Sequence, residues 1–462
     1  MSIVPAKYNL TKNVAGILNA IRHGIGGDYE AGVPVAANTT ASIRQVGAAI
    51  LAQQSRRNSF VESLVNRIGL EVIKSRQYQN PWAMFKKGFL EYGETVEEIF
   101  INLCEVHGFD PEDAQTTLHK VTKPSVSVAF HAMDVQAEYD VTISNAQLRQ
   151  AFLSAQKLSS FIDGIIGGMY TSMNYDEFQL MKYLVARLAL DGKLPKIAIS
   201  TPSSATANGI MTEIKAVSND FTFMKDKYTL AGNVNFTEKA DQYLIESTDL
   251  NAILDVNVLA SAFNMDKADF AGHVVLTDSF ADIDMKRLAK LLNKDADFQP
   301  FNATELQALA KLRGVLCAGD FFQIYDVEQT MEDAKNGKGL SWNYFLHKWQ
   351  VLSASPFENV ALITDQTSTV SNVTITLESS TMSAAGSQIA TAAVTRSGFA
   401  NPGVEWSLAA GTGTATDLGN YIDIDQYGVI TVKTGYTAGT WTVKATSLED
   451  GTVSDTETLT LA

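Results

Sequence analysis

Between Arg67 and Phe100 the pattern changes from alternating apolar and polar positions to a basic, aromatic segment. The alternation around Leu70 favours a half-buried strand. Breaker residues follow at Asn80-Pro81 and Lys87-Gly88, and they predict that the chain turns back on itself. The pattern therefore predicts a long hairpin over residues 70–100.

Trp82 and Phe85 should lie near the tip of this hairpin. Because a two-stranded hairpin alone is marginally stable in water, we expect it to rest on another surface. A basic arm on an acidic molecule is suited to pairing with copies of the same chain, although an ordinary solvated face would show the same charges. The residues expected at a subunit interface are Arg76, Trp82, Phe85, Lys86, Lys87 and Glu94.

Helical spacing dominates the next part of the chain. Apolar residues from Leu148 to Met169 fall on one stripe and predict a long helix over residues 145–170. A second helix should begin at Asn174, with Glu177 in a capping position, and end at Gly192. Short strands then alternate with helices up to Thr364, which indicates a mixed α+β body.

The composition changes after Thr364. Residues 366–462 hold 30 Ser or Thr and three basic residues. Short alternating segments separated by turn residues replace the helical signals, so this region predicts a small all-β sandwich. We expect it to be a separable outer module with its own apolar set, including Ile389, Trp406, Ile430 and Trp441.

The 462 residues allow two or three domains and a substantial core. Charged residues make up 19% of the chain, and buried subunit interfaces would explain part of that low value. The net charge is −15, yet residues 1–90 hold eleven Lys or Arg against four Asp or Glu. Positive charge is therefore concentrated at the N-terminal side.

Cys104 and Cys317 are too few and too far apart for a disulfide framework. The first 24 residues show no secretory signal, and no apolar run is long enough to span a bilayer. We therefore expect folding in a cytoplasm and no membrane partner.

Several local patterns resemble chemical sites without matching one. Cys104, His107 and His119 could supply three metal ligands, but a fourth is not obvious. Asp423 to Gly428 resembles half a calcium loop and is better explained as a turn. Ser154 and Lys157 have one spacing of an acyl-enzyme motif, without its partners. We therefore expect no catalytic residue, no metal and no cofactor.

Four long segments resemble the major capsid proteins of small tailed podophages of the phi-twenty-nine type. They span nearly the whole of the first 365 residues in order: VGAAILAQQSRRNSFVESLVNRIGLEVIKSR (46–76), NPWAMFKKGFLEYGETVEEIF (80–100), LDVNVLASAFNMDKADFAGHVVLTD (254–278) and GLSWNYFLHKWQVLSASPF (339–357).

The resemblance implies a Hong Kong 97-type phage capsid fold over residues 1–365, with an N-arm, an extended loop, a peripheral domain and an axial domain. The N-arm would cover residues 1–69, and the hairpin over 70–100 would be the extended loop (the E-loop). The helix over 145–170 would be the spine of the peripheral domain.

The C-terminal region, residues 366–462, resembles a bacterial Ig-like group-two domain. The matching residues are Gly386, Ala393, Trp406, Gly428 to Thr431, and Val443 to Thr446.

The resemblance also implies a function. The chain would self-assemble as pentamers and hexamers into an icosahedral or prolate head that encloses double-stranded DNA without reading its sequence. Its further partners would be a scaffolding protein and a portal at one vertex, with assembly in the host bacterial cytoplasm. The alternative is a cytosolic enzyme or carbohydrate-binding protein with an Ig-like accessory domain, which would require a convergent polar site.

Overall fold

The computed structural model describes residues 14–37, 39–53, 55–56, 59, 78–90, 93, 95–108, 121–144, 155–254, 273–292, 298–339 and 341–462. It divides into two compact units: Met1–Ser75 with Ala146–Gly164, and Arg76–Asn145 with Ile165–Ala462. The sequence also predicts short helices at Asp110-Pro111 and over residues 255–263, and both lie outside the described residues.

The helices in the described part of the chain are α1 (Val14–Ile25), α2 (Gly27–Gly32), α3 (Thr40–Leu51), α4 (Ala155–Asp191), α5 (Ala207–Asp220), α6 (Thr248–Ile253), α7 (Met285–Leu291) and α8 (Ala303–Leu309). Its strands up to residue 364 are β1 (Lys86–Phe89), β2 (Thr95–Ile101), β3 (Val126–Ser144), β4 (Lys196–Ala198), β5 (Gln242–Ser247), β6 (Val274–Thr277), β7 (Leu312–Ala318), β8 (Phe322–Asn336), β9 (Ser341–Ala354) and β10 (Val360–Thr364).

In the first unit, α1 to α3 form a small packed cluster. Tyr29, Val33 and Val46 are buried together. The Arg22 guanidinium donates to the carbonyl oxygen of Val33 at 2.7 Å and pairs with Glu30 at 3.1 Å. The described part of the predicted N-arm therefore contains three helices that pack on one another.

Helix α4 is a single helix of 37 residues, where the sequence predicted two. The cap-forming side chains near the expected break are used elsewhere. The Thr171 hydroxyl accepts from the amide nitrogen of Tyr78 at 3.3 Å, and the Asn174 amide donates to the Tyr78 carbonyl oxygen at 2.8 Å. Because these groups bind an incoming segment, they do not compete with the helical hydrogen bonds. No helix among the described residues, α4 included, is long and apolar enough to cross a membrane.

Two five-stranded sheets make up the α+β body of the second unit within the described residues. The first has the order β1-β8-β9-β3-β2 and the second β4-β10-β7-β5-β6. β3 and β8 are much longer than any strand expected there, at 19 and 15 residues. One apolar cluster packs α4 against both sheets and α7, and another packs α5 on the second sheet.

The C-terminal region is an all-β sandwich, as predicted. Its strands are β11 (Thr369–Leu377), β12 (Thr381–Met382), β13 (Gly386–Ser397), β14 (Val404–Ala410), β15 (Ile422–Ile424), β16 (Val429–Val432), β17 (Gly439–Ser447) and β18 (Ser454–Leu461). They form the sheets β11-β13-β16-β15 and β12-β18-β17-β14. Trp441, Ile430 and Leu459 are fully buried between them. Ile389 was expected inside but is exposed, because its neighbours Gln388 and Ala390 take the inner positions of β13.

A carboxyl group lies inside the body on β5. The Glu246 side chain is fully buried, and its Oε1 accepts from the Asn251 amide at 2.6 Å. Its Oε2 has no hydrogen-bond partner within the described ranges. Burial raises the pKa of Glu246 to about 7, and the hydrogen bond from Asn251 offsets only part of that rise.

We predict that Glu246→Gln stabilises the subunit at alkaline pH. Because the pKa is raised in the folded state, the contribution of Glu246 to stability is greatest below about pH 4.5 and is lost as the pH rises through about 7. At pH 8 the variant should gain up to about 3 kcal/mol in the free energy of unfolding. Urea unfolding of unassembled subunits at pH 5 and pH 8 measures this gain.

The exposed Glu457 provides a matched control, since Glu457→Gln should shift stability little at either pH. Equal gains at both pH values for Glu246→Gln would contradict the role of the buried charge.

Candidate assembly interface

The structure places the expected interface residues in three different settings. Arg76 and Glu94 lie outside the described residues. Trp82 and Phe85 are buried in the core of the subunit, and Lys86 and Lys87 make ion pairs within the chain. Assignment of the six residues to a subunit interface stays a prediction, and so does the hairpin over residues 70–100, because residues 70–77 lie outside the described residues.

Trp82 is fully buried in an aromatic cluster. Its ring contacts those of Phe178, Phe280 and Phe322 at centroid distances of 5.6, 6.3 and 6.0 Å, and its indole nitrogen donates to the Leu276 carbonyl oxygen at 3.3 Å. Phe85 packs on Phe322 at 4.8 Å. The expectation that Trp82 and Phe85 lie near the tip of a hairpin is therefore wrong, because both find their apolar partners inside the same subunit.

Lys86 is part of a buried ionic network. Its ammonium group lies 3.0 Å from Glu177 Oε2 and 2.8 Å from Asp326 Oδ2, and Lys348 lies 2.7 Å from the same Asp326 oxygen. The Gln350 amide donates to both carboxylates at 2.7 Å. Burial alone would lower the pKa of Lys86, yet the two carboxylates raise it above its ordinary value. Two cations therefore balance two anions, which stabilises the buried charges.

Lys87 is about as exposed as Lys86, at 23% and 22% of the side chain, but its ion-pair partner lies at the surface. Its ammonium group pairs with Asp320, whose side chain is well exposed, and lies 3.4 Å from the Gly319 carbonyl oxygen. A cleft of about 570 Å³ opens beside it, lined by Met84, Phe236 and Glu358 among others. Burial raises the pKa of Glu358 to about 7, and the nearby carboxylate of Asp320 contributes to that rise.

Strand pairing places β1 and β2 at opposite edges of the first sheet. β1 runs parallel to β8, with Lys86 opposite Ile324. β2 pairs with β3 in antiparallel register, from Thr95 opposite Ala132 to Ile101 opposite Val126. This antiparallel segment consists of residues 95–101 and 126–132, whereas residues 70–77 of the predicted hairpin lie outside the described residues. We call this segment the β2–β3 hairpin.

One face of the β2–β3 hairpin is fixed to its own subunit. Glu98 accepts a hydrogen bond from the Ser355 hydroxyl at 2.7 Å and lies 2.9 Å from His131 Nε2. The other ring nitrogen of His131 lies 2.8 Å from the Ser353 hydroxyl. Phe100 stacks on Phe357 at 5.5 Å. These contacts hold the base of the hairpin in one orientation.

The opposite face is apolar and open to solvent. Ile99 lies opposite Val128, and Ile101 lies opposite Val126. Because directly opposed residues of an antiparallel pair share a face, these four side chains and that of Phe130 form one continuous strip. Ile101 is 70% exposed and Phe130 is 69% exposed. A contiguous exposed apolar strip of this kind marks an interaction surface.

We call these five residues, Ile99, Ile101, Val126, Val128 and Phe130, the apolar strip. The sequence contains the signal for it, since Val126, Val128 and Phe130 alternate with small or polar residues. The sequence-based prediction placed the interface in the preceding basic segment instead. Leu103, Val106 and Val121 extend the exposed apolar surface beyond the strip.

The proposed metal ligands do not form a site in the part of the chain that can be described. Cys104 and His107 are exposed, and His119 lies outside the described residues. No group of three or more His, Cys, Asp or Glu side chains within the described ranges is arranged to hold a metal ion.

Comparisons with known proteins agree with a structural role. The family model for the Phi29-like phage major capsid protein matches residues 18–364. The major capsid protein of Bacillus phage B103 is 34% identical over 438 residues, which span 93% of this chain and 89% of the relative. That of Streptococcus phage Cp-1 is 28% identical over 365 residues, spanning 74% of this chain and 92% of the relative.

A solved capsid structure shares the fold. A chain in the capsid structure of Staphylococcus phage Andhra superposes with a TM-score of 0.52 at 15% sequence identity, covering 65% of this chain and 88% of that one. The body thus has the fold of phage capsid proteins of the Hong Kong 97 type. This chain belongs to the Phi29-like phage major capsid protein family and is a structural protein of the virion, not an enzyme.

Proposed function

We propose that the chain assembles through the apolar strip of its β2–β3 hairpin, which lies against a neighbouring copy in the shell. The observation that carries the proposal is the difference between the two faces of the hairpin. One face is hydrogen-bonded to its own subunit, while the other exposes five large apolar side chains. Covering them would remove apolar surface from water at every repeated contact.

The expected free energies of contact favour the apolar strip over the basic residues as the source of assembly. Full burial of one Val, Ile or Phe side chain contributes about 1.5–3 kcal/mol. An exposed ion pair contributes only about 0–1 kcal/mol. Association also has an entropic cost, so a contact repeated through the lattice must come mainly from its apolar part.

The finer assignments are also proposals. The β2–β3 hairpin takes the role of the E-loop, and α4 that of the spine helix of the peripheral domain. Copies would form pentamers and hexamers, with a scaffolding protein during assembly, a portal at one vertex, and assembly in the host bacterial cytoplasm. The sandwich has two four-stranded sheets around Trp441, which supports its assignment as a bacterial Ig-like group-two domain.

We predict that Ile99→Thr with Ile101→Thr blocks shell assembly without unfolding the subunit. Threonine keeps the β-branched shape, and both positions are already exposed, so the fold should lose little. Ile389→Thr is the matched control, since Ile389 is also a strand isoleucine that is more than half exposed. Electron microscopy and sedimentation should show shells for the wild type and the control, and free subunits or small oligomers for the double variant. Normal heads from the double variant would rule out the strip as the contact.

Lys86 and Lys87 should respond differently to charge reversal. Lys86→Glu places a third carboxylate against Glu177 and Asp326, so we expect a loss of about 3–5 kcal/mol in the free energy of unfolding. Lys87→Glu should cost the subunit only about 0–1 kcal/mol.

Urea unfolding of the two single variants measures the difference. Since Lys87→Glu leaves the fold intact, it also tests whether Lys87 contributes to assembly. A Lys86→Glu subunit as stable as the wild type would contradict the ionic network.

The inner surface should hold double-stranded DNA without reading its sequence. The net charge of −15 gives the subunit no cationic excess with which to bind phosphates tightly. In filter binding at physiological salt, we expect weak retention of duplex DNA that is equal for unrelated sequences. Tight, sequence-selective retention would count against a container that must accept every segment of a genome.

A further inference from the structure

A loop of the sandwich reaches the core of the α+β body. Phe399 lies between β13 and β14 and is fully buried. It belongs to the same apolar cluster as Ala189 and Leu190 of α4 and Leu194 just beyond it. The core of the body therefore includes a side chain that the C-terminal sandwich supplies.

Polar contacts between the body and the sandwich flank Phe399. The Lys196 ammonium group, on β4 of the body, lies 2.6 Å from Glu449 Oε2 and donates to the Phe399 carbonyl oxygen at 2.9 Å. Glu449 also accepts from the amide nitrogen of Asn401 at 2.9 Å. A single lysine of the body thus holds two separate loops of the sandwich.

Arg396 makes the reciprocal contact from the sandwich. One of its terminal nitrogens donates to the Leu190 carbonyl oxygen at 2.9 Å and to the Ala400 carbonyl oxygen at 2.8 Å. Leu190 lies in the last turn of α4, where carbonyl oxygens lack helical partners. A cation there also complements the negative end of the helix dipole.

Gly192 allows the two parts to approach closely. Its φ is +73°, a left-handed conformation that ends α4 and favours glycine. A Cβ atom at this position would overlap the Ala400 carbonyl oxygen of the sandwich. The absence of a side chain is therefore needed both for the helix end and for contact with the sandwich.

We propose that these contacts form a fixed joint and that the sandwich is a brace that completes the body. The joint is defined by Gly192, Lys196, Arg396, Phe399 and Glu449. The joint has an apolar centre at Phe399 and one cationic side chain from each part, Lys196 from the body and Arg396 from the sandwich. Gly192 lets the two backbones come close together. The body and the sandwich then unfold as one cooperative unit, in place of the separable module expected from composition.

The test uses the full-length, unassembled subunit, so that it is independent of shell formation. Gly192→Ala introduces both left-handed strain and overlap with Ala400. Gly232→Ala is the matched control, because Gly232 has a φ of +69° and no atom within 4 Å of a Cβ placed there. The two variants share the backbone strain and differ in the steric overlap.

Calorimetry and limited proteolysis between residues 364 and 369 give the readouts. The wild type and Gly232→Ala should unfold in one transition and resist cleavage. Gly192→Ala should show two transitions and faster cleavage. For Phe399→Ala we expect cleavage faster by on the order of a hundredfold. In the wild type, opening of the joint has the free-energy cost of exposing the aromatic ring to water, and the variant lacks that cost.

Phe399→Leu should restore most of the resistance by refilling the apolar site. One transition and wild-type cleavage for both Gly192→Ala and Phe399→Ala would overturn the proposal. If Phe399→Ala does not yield a folded chain, the comparison of the two glycine variants decides.

Discussion

The ionic network around Glu177 determines how the second unit is organised. Glu177 projects from α4 and is almost fully buried, so its carboxylate needs partners inside the protein. Asn80 supplies one from the segment before β1, Lys86 supplies one from the first position of β1, and Gln350 supplies one from β9. Because an unpaired buried charge would be costly, this carboxylate fixes three parts of the chain against one another.

That constraint determines where the hairpin begins. Once Lys86 is held at Glu177 and Trp82 is enclosed by aromatic rings, β1 must run beside β8. The chain is then free to extend only after Phe89, and the β2–β3 hairpin is the extension. Its contacts with Ser353, Ser355 and Phe357 come from β9 and the residues after it, so the same sheet orients the apolar strip outward.

The sequence predicted well those features that depend on local chemistry. The short strands of the sandwich and the mixed α+β body follow from nearby residues. The burial of Lys86 and Trp82 and the continuity of α4 have a different cause. Lys86 and Asn174 read as surface or cap residues until their distant partners, Glu177 and the Tyr78 carbonyl oxygen, are known. Tertiary contacts far apart in sequence decided these positions, and no local pattern contains them.

The joint at Phe399 also depends on contacts between residues far apart in sequence, and it has a mechanical consequence. A shell subunit must keep its shape while many copies press on one another, and a domain on a free linker could not share that load. At the end of α4, Arg396 satisfies a helical carbonyl oxygen while Lys196 holds two loops of the sandwich. The sandwich thereby caps the C-terminal end of the helix that carries Glu177. Attachment of the sandwich and the ionic network that positions the hairpin therefore depend on opposite ends of one rigid segment, residues 177–192. Loosening of either end would be transmitted along α4, because a packed helix moves as a body and does not bend freely.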